Sequence, residues 1–107
     1  MTPNHQIFAA LGDATRFAIF DRLARGGPQP ASALQDVADI SAPAISRHLK
    51  VLRNAGLIEQ TVAGQSRIYA VNKDVVERIG DWTVSYREYW TQSLDRLERE
   101  LVKGWPI

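Results

Sequence analysis

Apolar positions along the chain follow two rhythms. From the start to Gly56 they recur every three or four residues, from Leu57 to Asn72 they alternate, and from Asp74 onward the longer spacing returns. The first rhythm puts one stripe on a helix, and the second puts one face on a strand. Thr2 followed by Pro3 predicts an N-cap with proline at the first helical position, and Ile7, Phe8 and Leu11 stripe a short helix that Gly12 ends. Asp13 is a good cap for a second helix, ATRFAIFDRLAR, with Ile19, Phe20 and Leu23 inward and Gly26 at its end. GGPQP reads as a loop, and roughly ASALQDVAD as a third helix turning Leu34, Val37 and Ala38 inward, with Ile40 closing the turn. Ser41 caps a fourth helix with Pro43 in its first turn, where a missing N–H costs little. Ile45, Leu49 and Leu52 are its inward stripe, and Gly56 supplies a left-handed stop.

LIEQTVA and SRIYAVN, separated by Gly64–Gln65, predict a β-hairpin. Asp74 with Glu77 resembles a capping box that opens a last, long helix. Its stripe is Val75/Val76, Ile79, Trp82, Tyr86, Tyr89/Trp90, Leu94, Leu97 and Leu101. At 1.5 Å per residue the segment to about Lys103 reaches roughly 40 Å, too much apolar surface for one small core. Pairing with the same helix of a second chain is the economical solution. Gly80 weakens the helix locally. The predicted fold is mostly α with a small β-hairpin: a winged helix-turn-helix of five helices and a two-stranded wing. At 107 residues the chain is expected to be a single domain, 1–107.

Charge changes the picture only when it is divided along the chain. The formal net charge is +1. Residues 41–73 carry Arg47, Lys50, Arg53, Arg67 and Lys73 against Glu59 alone, while the stretches on either side are slightly acidic. Such a basic island suits a surface that faces a polyanion. With its stripe inward, the fourth helix turns Ala42, Ser46, Arg47, Lys50, Arg53 and Asn54 outward or to the flanks. A helix of this size fits the major groove of DNA, where base edges carry a distinguishable donor and acceptor code. Ser46 can meet bases or phosphates. Arg47 can grip guanine O6/N7 or a phosphate, and Lys50 and Arg53 suit phosphates. Ala42 and the ring of Pro43 lie at the entering end, where a thymine methyl is an apolar partner. His48 borders the stripe, as a half-buried, hydrogen-bonded ring or as a DNA contact. Ser41 is a cap first and a phosphate contact second. Gln65, Ser66 and Arg67 form the wing tip, where arginine suits a narrow minor groove; Arg67 pairing with Glu59 across the hairpin is the alternative.

GDATRFAIFDRLARG, SAPAISRHLKVLRNAGLI and a glycine-tipped hairpin ending in RIYAVN together resemble the ArsR family of winged-helix transcriptional repressors, over about Ala9 to Val102. The most distinctive part is Pro43 to Leu49, followed by Leu52–Arg53 and Gly56–Leu57. The resemblance implies a homodimer whose first and last helices form the interface, here Ile7, Phe8, Leu11, Trp82, Tyr86, Tyr89, Trp90, Leu94, Leu97 and Leu101. It implies recognition helices in successive major grooves of a near-palindromic double-stranded DNA operator. Ala14 stands where many members have proline. The family's metal-sensing residues are missing: Pro30-Ala31-Ser32 replaces a cysteine pair, and no histidine follows His48. The likeness is nearest to the cysteine-free branch, whose last helix is aromatic-rich, so no metal and no cofactor are expected. Those aromatics serve either as dimer core or as the wall of a pocket for an unknown small-molecule effector.

The remaining classes are narrowed by absences. No apolar run is long enough to span a bilayer, and MTPNHQIFAALGD has no secretory pattern, so no membrane partner and a cytoplasmic location are expected. Without cysteine there is no disulfide framework. Two isolated histidines and no glycine-rich phosphate loop argue against an enzyme. A winged-helix protein-interaction module without sequence-specific DNA binding is the alternative function.

Overall fold

A computed structural model describes residues 2–104. In chain order these form α1 (Asn4–Leu11), α2 (Ala14–Gly26), β1 (Gln29–Pro30), a 3₁₀ helix (Ala31–Val37), α3 (Ala42–Asn54), β2 (Ile58–Ala63), β3 (Ser66–Val71) and α4 (Lys73–Gly104). The expected helix-turn-helix and hairpin are present. The sheet is antiparallel with strand order β1-β3-β2. The chain divides into two compact units, one through Val76 and one from Glu77.

Several local details depart from the sequence reading. Pro3, rather than Thr2, occupies the N-cap position of α1, one residue later than the sequence reading placed it. The predicted third helix is wound as a 3₁₀ helix, and only Leu34 in it is fully buried. GGPQP is not wholly a loop, because Gln29 pairs with Tyr69 and Pro30 with Ile68, adding a third strand to the wing sheet. Proline is tolerated there because β1 is an edge. The Gln29 side chain also donates to the Arg22 and Gly27 carbonyls at 3.3 and 3.2 Å, satisfying the C-terminal end of α2. Asn72, not Asp74, opens α4, since its side-chain oxygen accepts from the Asp74 N–H at 3.1 Å.

The first unit is built around α3. Ile45, Leu49 and Leu52 are each at most 1 % exposed, and they share the buried core with Ile7 of α1, Ile19 and Leu23 of α2, Leu34 of the 3₁₀ helix, and Leu57. Burying each such side chain contributes about 1.5–3 kcal/mol. A helix of 13 residues is marginal alone in water, so this stripe keeps α3 folded. Its end is fixed by backbone geometry. Gly56 has φ +77°, the Leu57 N–H donates to the Leu52 carbonyl at 3.0 Å, and the Gly56 N–H donates to that of Arg53 at 2.9 Å. This is the Schellman closure, and it sends the chain from α3 directly into β2.

The second unit is the remainder of α4. From Asp81 to Lys103 every residue except half-buried Ser93 is exposed, the apolar stripe included. Trp82 stacks tilted on Tyr86, with ring centroids 4.6 Å apart, and Tyr89 meets Trp90 edge-on at 5.5 Å.

Two glycines should respond in opposite directions to alanine. Gly56→Ala forces a side chain into the left-handed region and should cost about 1–2 kcal/mol. Gly80 lies in a helix with open space around an added Cβ, so Gly80→Ala should stabilise by about 0.5–1 kcal/mol. Urea denaturation of both variants checks the pair.

Candidate nucleic-acid interface

Ser41 sets the start of α3. It is extended (φ −70°, ψ 160°), and its hydroxyl accepts from the Ala44 N–H at 3.3 Å. Pro43 follows in the first turn, where no intrahelical partner is lost. With the three anchors inward, helical spacing leaves Ser41, Ala42, Pro43, Ser46, Arg47, Lys50 and Arg53 exposed. Val51, 40 % exposed, is an apolar member of this outer surface that the stripe alone did not single out.

The wing tip is a two-residue loop. Gly64 has φ +64° and Gln65 does not have positive φ, the pattern of a type II′ hairpin turn. Gln65, Ser66 and Arg67 are all exposed. Register decides the question of Arg67: it lies opposite Val62, while Glu59 lies opposite Ala70. The cross-strand ion pair weighed from sequence therefore does not form. Arg22 pairs with Asp36 and Arg25 with Asp21, His48 lies beside Asp13, and among the described residues no ion pair engages Arg47, Lys50, Arg53 or Arg67. Four cations on α3 and the wing thus have their charge available to an outside anion.

His48 is held apart from them. Its side chain is 24 % exposed, with Nδ1 3.8 Å from Asp13 Oδ2. Asp13 caps α2 by accepting the Arg16 N–H at 2.9 Å, as its position predicts. That hydrogen bond, helped by the charges of Arg16 and His48 and opposed by partial desolvation, holds the Asp13 carboxyl below its ordinary value. A depressed carboxylate contributes stability above its unfolded value of about 3.9, and the contribution is lost as pH falls through the folded value. Sequence could identify Asp13 as a cap; that it faces α3 follows only from the packing of α2 on α3.

The residues expected at a dimer interface fall into two groups. Ile7 is 1 % exposed and taken up by the core of its own unit, Leu11 is half-buried, and Phe8 is 37 % exposed. On α4, Trp82, Tyr86, Tyr89, Trp90, Leu94, Leu97 and Leu101 are all exposed. No three His, Cys, Asp or Glu side chains gather as a metal site among the described residues. No described helix is long and apolar enough to cross a membrane.

Residues 11–61 match a helix-turn-helix domain family. The chain is 33 % identical over 82 residues to the transcriptional repressor SdpR of Bacillus subtilis, an alignment covering 77 % of this chain and 90 % of that protein. Among solved structures it resembles an ArsR-like transcriptional regulator from Rhodococcus sp. RHA1, with TM-score 0.72, 28 % identity and 89 % of each chain covered. It also resembles the homodimeric winged helix-turn-helix DNA-binding domain of Mb0332 from Mycobacterium bovis, with TM-score 0.64, 25 % identity and 78 % of each chain covered.

Ser41→Ala removes the cap of α3 and should lower stability by about 1 kcal/mol. Arg67→Ala, which breaks no ion pair, should stay within about 0.5 kcal/mol of the parent. Thermal denaturation distinguishes the two.

Proposed function

This chain belongs to the ArsR family of winged helix-turn-helix transcriptional regulators, and we propose that it is a homodimeric, sequence-specific repressor that reads a near-palindromic operator through α3 and the wing. The observation that carries this reading is the set of exposed cations without ion-pair partners, Arg47, Lys50, Arg53 and Arg67, on and beside a helix anchored from behind. Ser46 and Arg47, near the entering end, meet base edges, with guanine the natural partner of Arg47. Ala42 and Pro43 offer apolar contact to a thymine methyl. Ser41, Lys50 and Arg53 meet phosphates and set orientation. Gln65, Ser66 and Arg67 follow the wing into the minor groove. His48, turned toward Asp13, supports the helix from its flank.

Homodimerisation is supported by the apolar stripe of α4, exposed in the single chain, and by the assembly of Mb0332. Trp82, Tyr86, Tyr89, Trp90, Leu94, Leu97 and Leu101 pair with their counterparts. Phe8 and Leu11 of α1 add to the interface, and Ile7 backs them from the core. In this reading residues 1–107 work as one domain, in the cytoplasm, without catalysis. The alternative role for Tyr86, Tyr89 and Trp90 is the wall of an effector pocket: with Ser85 they line a hollow of about 430 Å³, where a small molecule would bias how the two helices pair. Trp fluorescence that stays unchanged across a broad ligand panel would remove the effector from the account.

Selection and sequencing of genomic fragments at fixed, near-physiological salt should return half-sites about one turn (roughly 34 Å) apart. Enrichment without any motif would place the protein-partner function first instead. Arg47→Ala should cost about 1–3 kcal/mol of specific binding and relax preference at one position, and Lys50→Ala should shallow the log–log salt slope by about one. Leu94→Glu should yield monomers by sedimentation at concentrations where the parent is a dimer; an unchanged dimer would contradict the assigned interface.

A further inference from the structure

His48 sits between the two faces of α3, turned neither out with Arg47 nor fully in with Leu49. Its ring faces Asp13, which already caps α2 through the Arg16 N–H. The separation of 3.8 Å is beyond hydrogen-bond reach, so a neutral imidazole gains little from the carboxylate. An imidazolium, with a full positive charge, is drawn to it. The contact is therefore conditional on a proton, and histidine is the side chain whose charge ordinarily changes between pH 5 and 8.

The charged groups on the elements packed against α3 leave Asp13 as the partner. On α2, Arg16 has its Nε committed to the Ala10 carbonyl at 2.6 Å, Asp21 is paired with Arg25, and Arg22 is paired with Asp36 of the 3₁₀ helix. α1 contributes only His5, exposed, and β2 only Glu59, also exposed. On α3 itself Arg47, Lys50 and Arg53 point to solvent.

We propose that Asp13 and His48 form a proton-dependent latch that positions the recognition helix against α2, so that operator affinity tightens as the pH falls from about 8 to about 6. The inference rests on the DNA-binding reading above. Protonation fixes the flank of α3 to the start of α2, and a helix already held in place favours the bound state. Neither residue needs to touch DNA, so His48 is a positioning residue.

The chain has two histidines, so variants can assign any histidine-dependent change. The operator Kd is measured at pH 6, 7 and 8 and constant ionic strength for the parent, His5→Gln, His48→Gln and Asp13→Asn. Asparagine caps helices as well as aspartate, so Asp13→Asn removes the charge while keeping the cap of α2. The contribution of the α-amino group is common to all four proteins. The parent and His5→Gln should tighten about two- to fivefold from pH 8 to pH 6, the size expected of a partly exposed ion pair. His48→Gln and Asp13→Asn should each lose that gain. A gain lost in His48→Gln but kept in Asp13→Asn would make His48 a direct phosphate contact and overturn the latch, as would a flat parent profile. A double-mutant cycle on thermal stability in DNA-free protein supplies a readout independent of the operator. Asp13→Asn and His48→Gln should be coupled at pH 6 and additive at pH 8, and additivity at both overturns the latch whether or not any DNA is bound.

Discussion

Burial of Ile45, Leu49 and Leu52 along one side of α3 is the constraint on which the other features of the first unit depend. These three side chains spend the apolar face of the helix on its own core, so its remaining positions are free to carry charge. Repulsion among Arg47, Lys50 and Arg53 works against the helix and is tolerated because the anchors outweigh it. Exposed charges in high dielectric interact by about 1 kcal/mol or less, whereas each anchor contributes about twice that. The Schellman closure at Gly56 extends the same control to the wing, because it fixes the direction in which β2 leaves α3.

The two units divide the labour by composition. The first is compact and spends most of its apolar residues internally, while the second exposes a stripe of aromatics and leucines over several turns. Large exposed apolar patches on a protein surface mark interaction sites. Charge differs too: cations and acids nearly balance along α4, whereas the α3–wing region is basic and suits a polyanion.

Most of this organisation is written in local patterns. The stripe of α3, its Ser41 cap and its Gly56 stop were legible because each depends on residues within a turn of one another. So was the hairpin, whose Gly64–Gln65 loop carries its own turn chemistry. What sequence did not disclose required contacts between distant segments. Gln29 and Pro30 look like a loop until β3 offers them an edge. The fate of Arg67 depended on cross-strand register, and that of His48 on which part of α2 packs beside it. The third helix has the apolar spacing of an α-helix, yet it is wound as a 3₁₀ helix with Leu34 alone fully buried. Ile7 has the spacing of a surface stripe, but the core of its own unit claims it.

Under the proposed function, the outer face of α3 enters the major groove of DNA. The chain has no cysteine, so Ser46→Cys gives a unique attachment point for an iron–EDTA cleavage reagent. Bound to its selected DNA, the tethered protein should cut in two symmetry-related clusters about one helical turn (roughly 34 Å) apart. Intact DNA under conditions where the labelled protein is fully bound would place α3 away from the groove and contradict the account.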